Sequence, residues 1–194
     1  MNIIRPIARG SFLFFIFMLG CALLASGQKS EKSPSSIGEI EASIKREPNN
    51  PKLLVALGLA YWDHNDYSHA LEAFQRAVKV GPSSAEAHNW LGVAIMEKAD
   101  LTGAIAEFKK AVALDPASAR AQTNLGSALA KSGEIGEAVD VFKKALALEP
   151  GNFAAQMNLG VALREKGDAG AALVYMRRVA EHDPTNASVQ YELG

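Results

Sequence analysis

Several features that mark common functional classes are scarce in this chain. It has one cysteine in 194 residues, Cys21, so no disulfide can form within the chain. The formal net charge is −1, which provides no overall field for binding nucleic acid. Aromatic residues make up only 7% of the sequence and alanine is abundant, a composition that favours closely packed helices over strands.

Patterns that carry catalysis or bind metals are also missing. The four histidines, His64, His69, His88 and His182, have neither a cysteine nor a Glu-x-x-His spacing beside them. No metal site is therefore predicted, and surface turns are the expected place for these histidines. The glycines are isolated rather than grouped in a phosphate-binding loop, and no nucleophile elbow occurs. We expect neither an enzyme nor a bound cofactor.

The segment 1–27 has the layout of an export signal. Arg5 and Arg9 precede a continuous apolar run over residues 12–19, and small residues follow at 25–27. Cleavage after Gly27 is one interpretation. Retention as a membrane anchor is the second, because residues 11–27 reach the lower limit of a spanning length.

Cys21 supports a third interpretation, lipidation. The segment from Met18 to Cys21 resembles a bacterial lipobox, in which the cysteine is acylated, although methionine stands where leucine is usual. Under all three interpretations the rest of the chain is exported, as a periplasmic or secreted protein or one held at the membrane by its N-terminus. Residues 28–36 are polar and contain Pro34, as expected of a flexible tether.

The remaining sequence consists of repeats of constant length. The recurring columns are proline at 48, 82, 116, 150 and 184, leucine-glycine at 57–58, 91–92, 125–126 and 159–160, alanine at 70, 104, 138 and 172, and Phe74, Phe108, Phe142 and Met176. Spacings of three and four between apolar columns predict two amphipathic helices in each repeat. Each proline is expected to end a second helix. An acidic residue is expected to cap each second helix or interact favourably with its dipole, at Asp66, Asp100, Glu134 and Asp168.

Glycine inside a helix costs about 1 kcal/mol relative to alanine, so its recurrence at one column implies a steric requirement. We expect Gly58 to face Ala70, so that the two helices of a repeat cross closely, and Phe74 to fill the space toward the next repeat. The equivalent residues of the other repeats should do the same. Because a single repeat cannot bury both of its faces, neighbouring repeats must stack.

These columns resemble the tetratricopeptide repeat family. The resemblance implies an all-α, right-handed superhelical solenoid of helix-turn-helix repeats at 51–84, 85–118, 119–152 and 153–186. Residues 37–50 resemble a degenerate repeat or N-terminal capping helix, with Ile40 and Ile44 as its apolar positions. Residues 187–194 begin a truncated fifth repeat, where we expect self-association or fraying. The family's common tryptophan near the start of each repeat is replaced by Leu54, His88, Gln122 and Gln156.

The resemblance also implies a function, the binding of a partner peptide or helix in a concave groove lined by the first helices. Asn124 and Asn158 precede Leu-Gly, as in the asparagine ladder of the O-linked N-acetylglucosamine transferase repeats, whose amides bind the backbone of an extended peptide. Asn89 lies one position early, which interrupts the ladder, and an alternative role for the asparagines is stabilisation of the helix face. Transferred by repeat position, the candidate groove residues are Asn89, Val93, Met96, Arg120, Thr123, Asn124, Ser127, Lys131, Met157, Asn158, Val161 and Arg164.

Two other surfaces have alternative interpretations. Trp62 either forms an apolar pocket with Val55 and Leu59 at the N-terminal end of the groove or packs under the capping helix. Basic residues align on the second helices either as a site for anionic lipid or as solvated partners of acids one turn away, as Glu72 is for Arg76 and Asp140 is for Lys144. These bases are Arg76, Lys109, Lys110, Lys143, Lys144, Arg177 and Arg178.

Two alternative functions remain beside the peptide-binding scaffold. One is an adaptor lipoprotein in envelope assembly, such as pilus or cell-wall machinery, which lipidation at Cys21 favours. The other is the regulatory arm of a larger enzyme. The expected partner is a protein or peptide, with no nucleic acid.

Overall fold

A computed structural model describes residues 36–182, and within this range the chain forms nine α-helices and no strand. The predicted export segment, nearly all of the tether and the start of a fifth repeat lie outside the described residues. None of the helices within 36–182 has the length and apolar character needed to cross a membrane. In chain order the helices are α1 (Ile37–Arg46), α2 (Pro51–Asp63), α3 (Tyr67–Val80), α4 (Ala85–Glu97), α5 (Leu101–Leu114), α6 (Ala119–Ser132), α7 (Ile135–Leu148), α8 (Phe153–Glu165) and α9 (Ala169–His182).

Consecutive helices pack on one another from one end of the stack to the other. Each first helix (α2, α4, α6, α8) contacts the second helix of its own hairpin, and that second helix contacts the first helix of the next hairpin. The first helices also contact each other, α2 with α4, α4 with α6 and α6 with α8. The predicted all-α solenoid of helix hairpins is confirmed.

Side chains of the turns cap most of the second helices. Asp66 accepts a hydrogen bond from the backbone N–H of His69 at 3.2 Å, and Asp100 accepts one from that of Gly103 at 2.9 Å. Asp168 caps α9 in the same way. Glu134 makes no such bond with α7, and its carboxylate accepts from the hydroxyl of Ser132 at 2.7 Å instead. The extra methylene of glutamate explains the difference, because short side chains make the best N-caps.

A left-handed residue recurs in the turn inside each hairpin. The φ angles of Asn65, Ala99, Gly133 and Gly167 are 61°, 62°, 89° and 92°. Glycine and asparagine tolerate this conformation, whereas the Cβ of alanine approaches the following carbonyl. The second hairpin therefore contains a strained turn at Ala99.

The recurring glycines make room for an aromatic ring. A Cβ added to Gly126 would lie 2.6 Å from Phe142, and one added to Gly92 would lie 2.7 Å from Phe108. The nearest neighbour of each of these glycines is therefore the ring of its own hairpin, and not the alanine column that we expected it to face. Phe74 covers Gly58 in the same way, and in the fourth hairpin Met176 covers Gly160.

Helix α1 covers the beginning of the stack. Its side chains Ile40 and Ile44 are buried in the cluster that also contains Leu54 and Phe74. Trp62 lies at the other end of α2, where its ring meets the edge of Tyr67 with centroids 4.8 Å apart. Trp62 thus packs against the second helix of its own hairpin, a contact that neither interpretation of this residue included.

Replacing Ala99 by glycine is expected to raise the free energy of unfolding by about 1 kcal/mol, because the left-handed backbone is unfavourable for a residue with a Cβ. Gly133→Ala, at the equivalent turn, should lower it by a similar amount. Urea unfolding followed by circular dichroism measures both changes. An Ala99→Gly protein no more stable than its parent would contradict the strained turn.

Gly126→Ala should lower the free energy of unfolding by about 1–3 kcal/mol, because the new methyl group meets the ring of Phe142. Gly160→Ala should cost less, since the nearest atom is the terminal methyl of Met176, which can move. Gly136→Ala is the control: its site in α7 is open, and alanine should stabilise the helix by up to about 1 kcal/mol. Equal destabilisation by the first two changes would argue against the ring contact.

Candidate functional site

The predicted groove residues all lie on the first helices, which stand side by side along the stack. α4 carries Asn89, Val93 and Met96, α6 carries the five residues from Arg120 to Lys131, and α8 carries the remaining four. Contacts between α4 and α6 and between α6 and α8 place them on adjacent elements. Stacking therefore brings residues from three hairpins onto one continuous face.

The asparagines on this face bond to the neighbouring hairpin. The amide of Asn124 donates to Oδ1 of Asn89 at 2.9 Å, and that of Asn158 donates to the hydroxyl of Ser127 at 3.0 Å. All four side chains are buried. We call these four residues the polar ladder. Asn89, one position early in the sequence, is joined to Asn124 in space, so the interruption expected in the second repeat does not prevent the contact.

The other small and apolar candidates are also buried. Val93 and Met96 belong to the central core cluster, and Met157 packs with Val179 of α9. Thr123 has no exposed surface, and its hydroxyl donates to the carbonyl of Ala119 at 2.8 Å. Val161 is buried as well. These side chains support the face from beneath.

The basic candidates lie nearer to solvent. Arg120 and Lys131 are half-buried and Arg164 is exposed. The guanidinium of Arg120 lies over the ring of Trp90, 5.5 Å from its centroid, a cation–π contact. Trp90 also stacks on Phe74, with centroids 6.1 Å apart and planes inclined by 15°. Phe74, Trp90 and Arg120 therefore connect the first three hairpins.

Trp90 was not among the sequence-predicted site residues. Its position two residues after the family's tryptophan column gave no reason to select it. Its adjacency to Asn89, a candidate groove residue, was the available signal. The partners of its ring, Phe74 and Arg120, come from the hairpins before and after its own, and at such separations a single sequence carries no contact information.

His88 is a correction to the expectation that the histidines lie in surface turns. Its side chain is buried, with Nδ1 2.6 Å from Oε2 of Glu107 and Nε2 3.0 Å from the carbonyl oxygen of Pro82. Both ring nitrogens therefore lie within hydrogen-bonding distance of an oxygen acceptor. His64 and His69 are exposed, and the side chain of His182 lies outside the described residues.

The replaced tryptophan column thus has a structural role of its own. The amide of Gln156 donates to the carbonyl of Pro150 at 2.7 Å, the same connection that His88 makes with Pro82. In both hairpins a polar side chain of the first helix reaches back to the preceding turn. Leu54, at the equivalent position, has no exposed surface and packs in the core.

Glu107 forms the centre of a small charged group with His88 and Lys110. Its Oε1 accepts from Nζ of Lys110 at 2.8 Å, and its side chain is 13% exposed. Burial acts to raise the pKa of the Glu107 carboxyl, but the hydrogen bonds and charges of Lys110 and His88 outweigh it and leave that pKa below its ordinary value.

Some of the basic residues on the second helices pair with acids. Lys109 pairs with Glu137 of the next hairpin at 3.2 Å, and Lys110 pairs with Glu107. The expected pairs of Glu72 with Arg76 and of Asp140 with Lys144 are not within 4 Å in the described part of the chain. Within residues 36–182 no group of three or more metal-ligating side chains occurs.

Comparison with known proteins gives one family and several similar structures. The profile of the tetratricopeptide repeat family matches residues 55–119 and 123–187. No curated protein matches the chain. The crystal structure of MamA is similar, with a TM-score of 0.67 and 29% identity, over 78% of this chain and 89% of that chain.

Two further solved structures resemble the chain. The pilF protein of Pseudomonas aeruginosa has a TM-score of 0.68 and 26% identity, covering 77% of this chain and 68% of that one. The O-GlcNAc transferase of Thermobaculum terrenum has a TM-score of 0.66 and 27% identity, covering 71% of this chain and 27% of the enzyme. The similarity to the enzyme is therefore limited to a part of it.

Glu107→Gln should weaken the acid dependence of stability. The lowered pKa means that Glu107 stabilises the fold above its unfolded value of about 4.3, and that this contribution is lost as pH falls through the folded value. The difference in free energy of unfolding between wild type and variant, measured in urea from about pH 7 to 3, should narrow with decreasing pH. A constant difference over that range would contradict the charged group.

Proposed function

Because the chain belongs to the tetratricopeptide repeat family, whose profile covers residues 55–119 and 123–187, we propose that it is a non-catalytic scaffold that binds a peptide or helix of a partner protein. Proteins of this family are in general non-catalytic scaffolds with protein or peptide partners. The binding face consists of the first helices α2, α4, α6 and α8. The chain acts outside the cytoplasm, as the export layout of residues 1–27 predicts.

One observation carries the proposal, the mixed character of the solvent-facing side chains along the first helices. Apolar side chains are partly exposed on α2 and α4, and basic side chains are partly or fully exposed on α6 and α8, over a buried base. Such a surface suits a peptide whose apolar side chains are buried against rings while charges orient it. Residues with partial or full exposure on these helices include Leu59, Trp62, Trp90, Arg120, Lys131 and Arg164, beside the exposed acids Asp63, Glu86, Glu97 and Glu165.

The polar ladder positions this face. Each of its two hydrogen bonds joins neighbouring hairpins, so removing one side chain leaves a buried partner unsatisfied at a cost of about 1–3 kcal/mol. Asn124→Ala and Asn158→Ala therefore change stability as well as any peptide contact, and they cannot separate the two roles. A sharper test changes charges at the edge of the face.

Lys131→Gln with Arg164→Gln should weaken peptide binding while the matched pair Lys143→Gln with Lys144→Gln leaves it unchanged. The first pair lies on α6 and α8, and the control pair removes the same charge from the outer helix α7. The protein is expressed from its full sequence, with any processing that the cell carries out, and is immobilised on a support. Short peptides of random sequence that it retains are then isolated, and the Kd of each is measured by fluorescence anisotropy. We expect at least about a fivefold increase for the first pair, and less than twofold for the control.

Thermal unfolding of each variant verifies that the fold is retained. Equal weakening by both pairs would move binding away from the first helices. Retention of no peptide above a bare support would argue against the scaffold function itself. The adaptor and regulatory-arm alternatives use the same face and differ in the partner they capture.

A further inference from the structure

Two neighbouring side chains of α4 have buried donors without a partner. Among the described residues, Nδ2 of Asn89 and Nε1 of Trp90 are the buried side-chain polar atoms that make no hydrogen bond. Asn89 is only 3% exposed. An unsatisfied buried donor costs about 1–3 kcal/mol, so two in consecutive residues require an explanation in the function of this part of the chain.

Arg120 brings a third set of donors to the same place. Its guanidinium lies over the ring of Trp90, and no carboxylate is within 4 Å of it in residues 36–182. Arg120 and Asn124 are one helical turn apart on α6 and share a helix face, and Asn124 is bonded to Asn89. We call Asn89, Trp90 and Arg120 the donor cluster.

The chemistry of the donor cluster specifies its ligand. An indole N–H, an amide NH₂ and a guanidinium supply donors and one positive charge. The complementary group has two acceptor oxygens and a negative charge, and guanidinium pairs with carboxylate in a bidentate geometry. We propose that the donor cluster binds a carboxylate of the partner peptide, an inference that rests on the proposed function.

The position of the cluster selects a side-chain carboxylate. It lies between the second and third hairpins, and the face continues over α2 on one side and α8 on the other. A segment lying along the face therefore crosses the cluster in its middle, where an aspartate or glutamate side chain is available and a chain terminus is not.

Access to the buried donors depends on Arg120. The arginine is half-buried and covers the indole, and its side chain has several rotatable bonds. The proposal requires the guanidinium to turn from the indole face toward an incoming carboxylate, and the two buried donors to become accessible as the carboxylate binds. Glu86, one turn before Trp90 on α4, is exposed, and its carboxylate is not within 4 Å of the Arg120 guanidinium.

The test uses selected peptides with acetylated N-termini and amidated C-termini, so that the only carboxylates are side chains. Peptides retained on the full chain should be enriched in aspartate or glutamate at one internal position. Arg120→Gln should raise the Kd of such a peptide at least about tenfold. Replacing the peptide's aspartate or glutamate by asparagine or glutamine should raise the Kd for the wild-type chain by a similar factor. The same replacement should leave the Kd for the Arg120→Gln variant unchanged.

Two more variants separate charge from hydrogen bonding. Trp90→Phe retains an aromatic ring at the stacking position of Trp90 and removes the N–H, and should raise the Kd about threefold or more. Lys52 has the same position in the first hairpin as Arg120 has in the third. Lys52→Gln therefore removes an equivalent positive charge, and it should change the Kd less than twofold. Circular dichroism melts verify folding, and Arg120→Gln alone suffices if Trp90→Phe does not fold.

The possible results distinguish a failure of the proposed function from a failure of the donor cluster as a carboxylate site. No retained peptide refutes the proposed function. Retained peptides without an acidic preference, or equal effects of Arg120→Gln and Lys52→Gln, refute the donor cluster and leave the proposed function standing. Binding that requires a free C-terminus refutes the internal carboxylate.

Discussion

The contact of an aromatic ring with a glycine inside each of the first three hairpins is the constraint on which the stack depends. The ring occupies the volume that a Cβ would take, so it sets how closely the two helices approach. Phe74, Phe108 and Phe142 have no exposed surface, and each is joined in the core by an alanine of the same second helix. Because three hairpins share this contact, they have the same shape, and equal shapes stack with a constant offset.

Stacking creates a second requirement, since it buries polar groups of the first helices. Asn89 and Asn124 satisfy one another between the second and third hairpins, and Asn158 bonds to Ser127 between the third and fourth. Hydrogen bonds in a dry environment are strong, and unpaired groups there are costly. The polar ladder therefore holds neighbouring hairpins in register, and the same amides cannot all be available to a ligand.

The second hairpin concentrates the departures from the common pattern. It contains the left-handed alanine, the buried contact of His88 with Glu107, and the two donors without partners at Asn89 and Trp90. Departures that lower stability are expected where a protein has a function to perform, which agrees with the proposed position of the donor cluster beside the third hairpin.

The sequence by itself determined the hairpins, their constant spacing, the acidic caps other than Glu134 and the columns that form the core, because each of these depends on residues within a few turns of one another. The tertiary structure decided which atoms meet. Whether Gly58 faces Ala70 or the ring of Phe74, whether His88 is exposed, and whether Asn89 reaches Asn124 depend on the crossing of helices and on rotamers that many neighbours select together. Periodicity specifies the face on which a side chain lies, and packing specifies its partner.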